Sequence, residues 1–179
     1  MNILKQKNNN IIDLTKPVEI KTYLTVSVLG KSLNLNIDFK NINVPELDMN
    51  DKEVNLFLPV RYKKIGTVEI VSEAIKKMYS EIAEIEIANS MEKIRVMVGF
   101  APEDYKIIEM KGLLAKCTDD KKILVNPRII KYKRDVVEYI ILHQFAHLKY
   151  KNHTKSFYNF MEKYLPEYKK YEDLVNMKY

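Results

Sequence analysis

The stretch Asp135-Val136-Val137-Glu138-Tyr139-Ile140-Ile141-Leu142-His143-Gln144-Phe145-Ala146-His147-Leu148, followed by Asn152-His153-Thr154, decides the reading of this chain. Val136, Val137, Ile140, Ile141, Phe145 and Leu148 recur at helical spacing. Asp135 stands at the place of an N-cap, with Glu138 three residues on as in a capping box. So few of the first ten positions are polar that the helix is expected to be largely buried. His143 and His147 are four apart, so their imidazoles leave the same face one turn from each other, the geometry by which a helix chelates a metal through two nitrogens. His153 follows just past the helix, where a reversal of the chain can bring it round as a third ligand. These are the only three histidines in 179 residues. A lone histidine on an apolar helix is more often a core residue than a ligand. Three gathered in one segment, two of them a turn apart, favour a divalent metal instead: Zn2+, held by His143, His147 and His153 with water in the fourth position.

The residue after the first histidine sets a limit on the chemistry. In the zinc-hydrolase pattern H-E-x-x-H that position is a glutamate, whose carboxylate takes a proton from the metal-bound water. Here it is Gln144, on the same side of the helix as the two histidines and directed into the site, and an amide cannot act as a base. The spacing to His153 also follows the metzincin pattern H-E-x-x-H-x-x-G-x-x-H, but the glycine is replaced by Tyr150. The reversal is therefore expected at Asn152, in a left-handed conformation that stops the helix.

Outward from this stretch, composition sets the class. Hydrophobic residues make up 46% and charged residues 30% of the chain, ordinary values for a globular protein, and the length suits a single domain over residues 1–179. No apolar run approaches the roughly 20 residues that cross a bilayer, and the start lacks a hydrophobic signal core, so the expected location is the cytoplasm, with no membrane partner. The single cysteine, Cys117, excludes an internal disulfide and is read as a small apolar strand residue. The net charge of +6 can attract nucleic acid, yet the lysines are scattered along the whole sequence, as on solvated faces.

Residues 1–17 are polar and asparagine-rich and read as a loose arm. Residues 18–66 are strand-rich: one strand from Val18 to Val28, a tight turn at Gly30-Lys31, a second strand through Leu33, Leu35 and Ile37, a loop from Asn41 to Glu53 around Pro45, and a third strand from Val54 to Pro59. Over 67–100 the period changes. Val68, Val71, Ala74, Ile75, Met78 and Ile82 mark a long amphipathic helix expected to cover the N-terminal sheet and to end at Gly99 and Pro102. Residues 105–179 form the metal-site core. Short strands are expected at Tyr105–Met110, Leu113–Thr118 and Lys122–Asn126, then the histidine helix to Tyr150 or Lys151. A helix capped by Thr154 with Phe157, Phe160, Met161 and Tyr164 inward follows, and a last one from Glu167 to Asn176 with Tyr168, Tyr171 and Leu174 inward. The fold class is α+β: small antiparallel sheet regions, a long amphipathic helix, and a C-terminal zincin-like helix followed by two short ones.

In Ile123-Leu124-Val125-Asn126, Val137-Glu138-Tyr139-Ile140-Ile141-Leu142-His143, Ala146-His147-Leu148 and Asn152-His153-Thr154-Lys155-Ser156-Phe157, the last third of the chain resembles the YgjP-like zinc metallopeptidases, relatives of the WLM and SprT-like proteases. The resemblance implies that His143, His147 and His153 are the zinc ligands and that Gln144 occupies the place of the catalytic glutamate. It also implies that a polypeptide adds along an edge strand near Leu113 to Cys117. The chain departs from the family at Leu114-Ala115-Lys116, where W-G-S-C is common and only the cysteine, Cys117, is kept, and at Phe145, commonly leucine. An engineered change at position 144 would leave such positions untouched, whereas natural divergence loosens several together, and these departures fit divergence better.

Three functions of different classes remain open at this level. The first is a zinc metallopeptidase-type domain whose hydrolysis is disabled or strongly weakened by Gln144, binding a polypeptide substrate or peptide ligand. The second is a nucleic-acid-associated module using the basic surface, with binding that falls steeply with salt. The third is a structural domain in which the histidines order a helix junction. Tyr139 and Tyr150 lie near enough in sequence to stabilise an oxyanion, with no feature that selects either. Nothing in the sequence sets an oligomeric state.

Overall fold

A computed structural model describes residues 24–63 and 67–175. The loose arm expected at 1–17 and the start of the first expected strand lie outside the described residues. The α+β class is as expected, with two small sheets and four α-helices.

The first sheet contains β1 (Leu24–Val28), β2 (Lys31–Lys40), β3 (Glu46–Met49) and β4 (Glu53–Pro59) in the order β1-β2-β4-β3. β1 and β2 form an antiparallel hairpin whose two-residue turn, Leu29-Gly30, has both residues at positive φ. That handedness matches the twist of the strands. Glycine is required at the second position for another reason: a Cβ there would lie 3.1 Å from the Lys133 backbone nitrogen. The turn is docked by Leu29 N–H donating to Ile130 O and Gly30 N–H to Lys131 O, which ties this sheet to the start of the histidine helix.

Two expectations need correction here. Residues Asn41 to Glu53 are not all loop, because β3 pairs antiparallel with β4 as an exposed edge strand. Pro45 and the acidic neighbours suggested a loop, while Leu47 and Met49 already alternated. The sheets are also mixed rather than wholly antiparallel, since β2 pairs with β4 in parallel, with Leu35 opposite Val54 and Ile37 opposite Leu56. Val26, Val28, Leu33, Leu35, Val54, Leu56 and Leu58 form the buried face.

Helix α1 (Thr67–Val98) runs from this sheet to the site helix. Its buried residues are Met78, as expected, with Tyr79, Ala83, Ile87, Ser90, Met91 and Ile94, which together hold one face. Val68, expected in the stripe, is exposed. Near the sheet the Tyr79 hydroxyl donates to Ser27 O at 3.1 Å. Further along, α1 packs on α2 (Arg134–His147). There Arg134 makes a two-pronged pair with Glu86 at 2.6 and 2.8 Å, and Lys93 meets both oxygens of Glu138 at 2.7 Å. Such rim pairs contribute little energy but fix how the helices align. Gly99, at positive φ, donates to Arg95 O and ends α1. No helix among the described residues is long and apolar enough to cross a membrane.

The second sheet, β5 (Asp104–Ile107), β6 (Ala115–Cys117) and β7 (Lys122–Val125), has the order β5-β7-β6, with β7 parallel to β5 and antiparallel to β6. A 3-10 helix, Pro127–Lys131, leads from β7 to α2; α3 (Lys155–Tyr164) and α4 (Tyr168–Val175) complete the chain. In α4 the inward residues are Tyr168, Tyr171 and Val175, and the expected Leu174 is exposed.

Candidate metal centre

From Val136 to Ala146 every residue of α2 except Glu138 is buried, so what the helix displays in its last turn faces protein or cleft rather than bulk solvent. The helix starts two residues earlier than its sequence suggested. Lys133 is the N-cap, Asp135 lies in the first turn with its carboxylate on Val136 N–H, and Glu138 pairs with Lys93 instead of closing a capping box. A carboxylate in the first turn still complements the helix dipole.

After His147 the chain leaves the helix without a left-handed residue at Asn152; among the described residues, the non-glycine positions at positive φ are Leu29 and Lys121. Leu148 remains helical, and Lys149 and Tyr150 both donate to Ala146 O. A three-residue turn closed by Thr154 N–H on Asn152 O then has His153 at its centre. Thr154 is the N-cap of α3 by position, with no side-chain hydrogen bond.

The three histidines meet as the spacing predicts. His143 Nε2 lies 3.1 Å from His147 Nε2 and 3.1 Å from His153 Nε2. Two nitrogens bound to one tetrahedral zinc at about 2.05 Å sit about 3.3 Å apart, so these separations suit a shared metal. Hydrogen bonding explains them less well, since one imidazole N–H cannot point at two partners at once. His147 Nδ1 is 3.0 Å from Tyr150 O, a contact that needs the proton on Nδ1 and leaves the Nε2 lone pair for a metal. Burial drives the His143 pKa down to about 2, helped by His147 and His153. Burial also lowers those of His147 and His153. All three are thus neutral donors at physiological pH. His143, His147 and His153 form a group that can hold a metal ion, and its donor set fits zinc.

Phe157 holds the cluster from behind, its ring centroid 4.9, 4.9 and 4.6 Å from those of His143, His147 and His153. Its signal was present in the Asn152-His153-Thr154-Lys155-Ser156-Phe157 segment, where it read simply as part of an apolar stripe. The carbonyl of Tyr150, by contrast, is a backbone group that no residue type announces. The Tyr150 ring lies towards Phe160, and Tyr139 is buried between His143 and Tyr171.

Gln144, 3% exposed, lines a cavity of about 870 Å³ together with His147, His153 and the segment Gly112 to Asp119. That segment contains β6, the outer strand of its sheet. Asn126 N–H donates to Leu114 O and Thr118 N–H to Lys122 O. Alternation then turns the N–H and C=O groups of Ala115 and Cys117 away from β7, towards the open edge. Asn126, buried, braces the approach to this strand: its amide donates to Met110 O and Leu113 O and its carbonyl accepts from Arg128 N–H. Cys117 is half-buried, and burial, with Asp119 and Asp120 nearby, pushes its thiol pKa up, which disfavours a nucleophilic thiolate.

The YgjP-like metallopeptidase domain matches residues 1–178. The chain belongs to this family. Among solved structures the YgjP-like chain is similar to the metallopeptidase zymogens of Pyrococcus abyssi abylysin and Methanocaldococcus jannaschii jannalysin, each 24% identical. The abylysin match has a TM-score of 0.46 and covers 50% of this chain and 90% of that one. The jannalysin match has a TM-score of 0.45 and covers 50% and 87%. No curated protein matches the sequence.

Proposed function

We propose that this YgjP-like domain binds one zinc ion through His143, His147 and His153 and receives an extended polypeptide along β6, with peptide-bond hydrolysis disabled or strongly weakened by Gln144. The observation that carries the reading is the convergence of three neutral imidazole nitrogens beside Gln144 in a cleft walled by an open strand edge. Zinc held there supplies a Lewis acid that polarises a peptide carbonyl and acidifies a bound water. The rest is done by the chain. Ala115 and Cys117 offer backbone groups that align a substrate strand. Tyr150 O fixes the His147 ring. The Gln144 amide can hold a water or a carbonyl in place but has no basic atom to take up a proton.

The decisive experiment is metal analysis of protein purified without added zinc, paired with thermal melting in chelator. About one zinc per chain and a lower melting temperature in chelator are expected, with His153→Ala losing metal and stability together. Metal-free protein whose melting ignores chelator would overturn the reading in favour of a purely structural role for the histidines.

A further inference from the structure

We infer that the cleft selects acidic polypeptide segments, because folding gathers four lysines around it: Lys116 and Lys121 from the β6–β7 hairpin, and Lys149 and Lys151 from the loop between α2 and α3. This rests on the peptide-binding reading above and names the substrate class of the same site. All four line the cavity that holds Gln144, His147 and His153, and among the described residues the only carboxylate lining it is Asp119. The lysines are scattered in sequence, and the concentration of charge appears only when the hairpin and the loop are brought face to face.

The charge is available to a ligand. Asp119 meets Lys151 at 3.5 Å with the two side chains 100% and 83% exposed, a pair that solvent screens almost completely. The ammonium of Lys149 sits 4.0 Å above the Phe100 ring, which steadies it without cancelling its charge. Among the described residues, Lys116, Lys121 and Lys149 form no ion pair. The position of Lys116 is the most informative. It lies between Ala115 and Cys117, whose backbone groups face the open edge, so its exposed side chain occupies the opposite sheet face from theirs. A strand added at that edge alternates in the same way, and every second side chain shares the face of Lys116. Acidic residues at alternate positions therefore share the face of Lys116, while Lys121, Lys149 and Lys151 raise the positive potential of the same cavity. Single-stranded nucleic acid fits less well. It draws on successive aromatic platforms for its bases, and among the described residues lining this cavity the aromatic side chains besides the histidines reduce to Tyr132.

The test is fluorescence anisotropy on the metal-loaded full chain with three unstructured peptides of equal length, bearing glutamate, glutamine or lysine at alternate positions, and a labelled oligothymidylate. Binding of the glutamate peptide roughly tenfold tighter than the glutamine peptide is expected at about 50 mM salt, with the advantage lost near 500 mM. Lys116→Glu/Lys121→Glu, both exposed positions, is expected to invert the order of the glutamate and lysine peptides with metal content and melting unchanged. Equal affinity for all three peptides overturns the charge selection and leaves the peptide-binding reading standing. Binding of none of them overturns both. Tighter binding of oligothymidylate than of the glutamate peptide assigns the basic cleft to nucleic acid instead.

Discussion

Changing Gln144→Glu isolates the missing proton acceptor. The two side chains have the same number of heavy atoms, and position 144 is 3% exposed in the wall of the cleft, so the change opens no cavity and forces no clash. What it adds is a basic oxygen beside His143 and His147. A positioned general base is worth on the order of 10²–10⁴ in rate, or about 2.7–5.4 kcal/mol of transition-state stabilisation. The same carboxylate has a second consequence. Without metal it is a buried anion next to three neutral imidazoles, a cost of roughly 1–3 kcal/mol to the metal-free fold that a bound dication offsets. The variant is therefore expected to melt lower than the parent in chelator, to recover in zinc, and to cleave an unfolded, acid-rich protein at least about a hundredfold faster. Cleavage followed by gel and mass spectrometry, with metal content measured on the same sample, is the assay. A variant carrying one zinc per chain yet no faster than the parent would refute the reasoning, because the cleft would then have lost more than its base.

Acidification gives a second prediction. The unfolded chain takes a proton on His143 below about pH 6.5 while the native state holds the group neutral down to about pH 2, so the unfolded state binds more protons in that window and stability rises with pH. Metal-free protein is expected to lose up to roughly 1.4 kcal/mol per pH unit from His143 alone on going from pH 6.5 towards 4.5, with His147 and His153 acting in the same direction. Urea midpoints at several pH values read this out, and a flat profile contradicts it. A third prediction concerns Asn126→Ala, which strands Met110 O, Leu113 O and Arg128 N–H. About 2–4 kcal/mol of stability is expected to be lost, together with faster proteolysis within residues 108–114. An unchanged denaturation midpoint would show that water replaces the amide.

Much of the site was legible because its signals are local. The turn-apart histidines, the apolar face of α2 and the apolar residues of α3 belong to single helices, whose period can be read without knowing what they touch. Errors fell where the answer depended on distant parts of the chain. Asp135 looked like a cap, yet the extended residues Tyr132 and Lys133 that follow the 3-10 helix already turn the chain into α2, and the helix begins two residues sooner. Asn152 looked like the helix stop, but Ala146 O accepts two amides and turns the chain with no left-handed residue. In α4 the inward face follows Tyr168, Tyr171 and Val175, steps of three then four, whereas two steps of three drift off the face to Leu174. The parallel pairings β2–β4 and β5–β7 are non-local and carry no pattern in either strand alone.

The arrangement supports the three histidines whether position 144 is glutamate or glutamine. The ligands are fixed by groups that do not involve position 144: Phe157 behind all three rings, Tyr150 O on His147, and the turn that presents His153. Gln144 contributes to the cleft wall and nothing among these supports depends on its charge. His143 Nε2 lies 3.1 Å from the Nε2 atoms of both His147 and His153, a crowding of neutral imidazole nitrogens that a shared cation relieves. A metal present at about a hundred times its dissociation constant stabilises the native state by roughly 2.7 kcal/mol, and it cross-links the end of α2 to the loop carrying Lys149 and Lys151. Glutamine at position 144 leaves these supports in place, whereas replacing a histidine is expected to unsettle that loop, one of the two walls of the cleft. On the proposed function, a bound metal would serve both folding stability and the shape of the cleft, and a peptide-holding domain needs both.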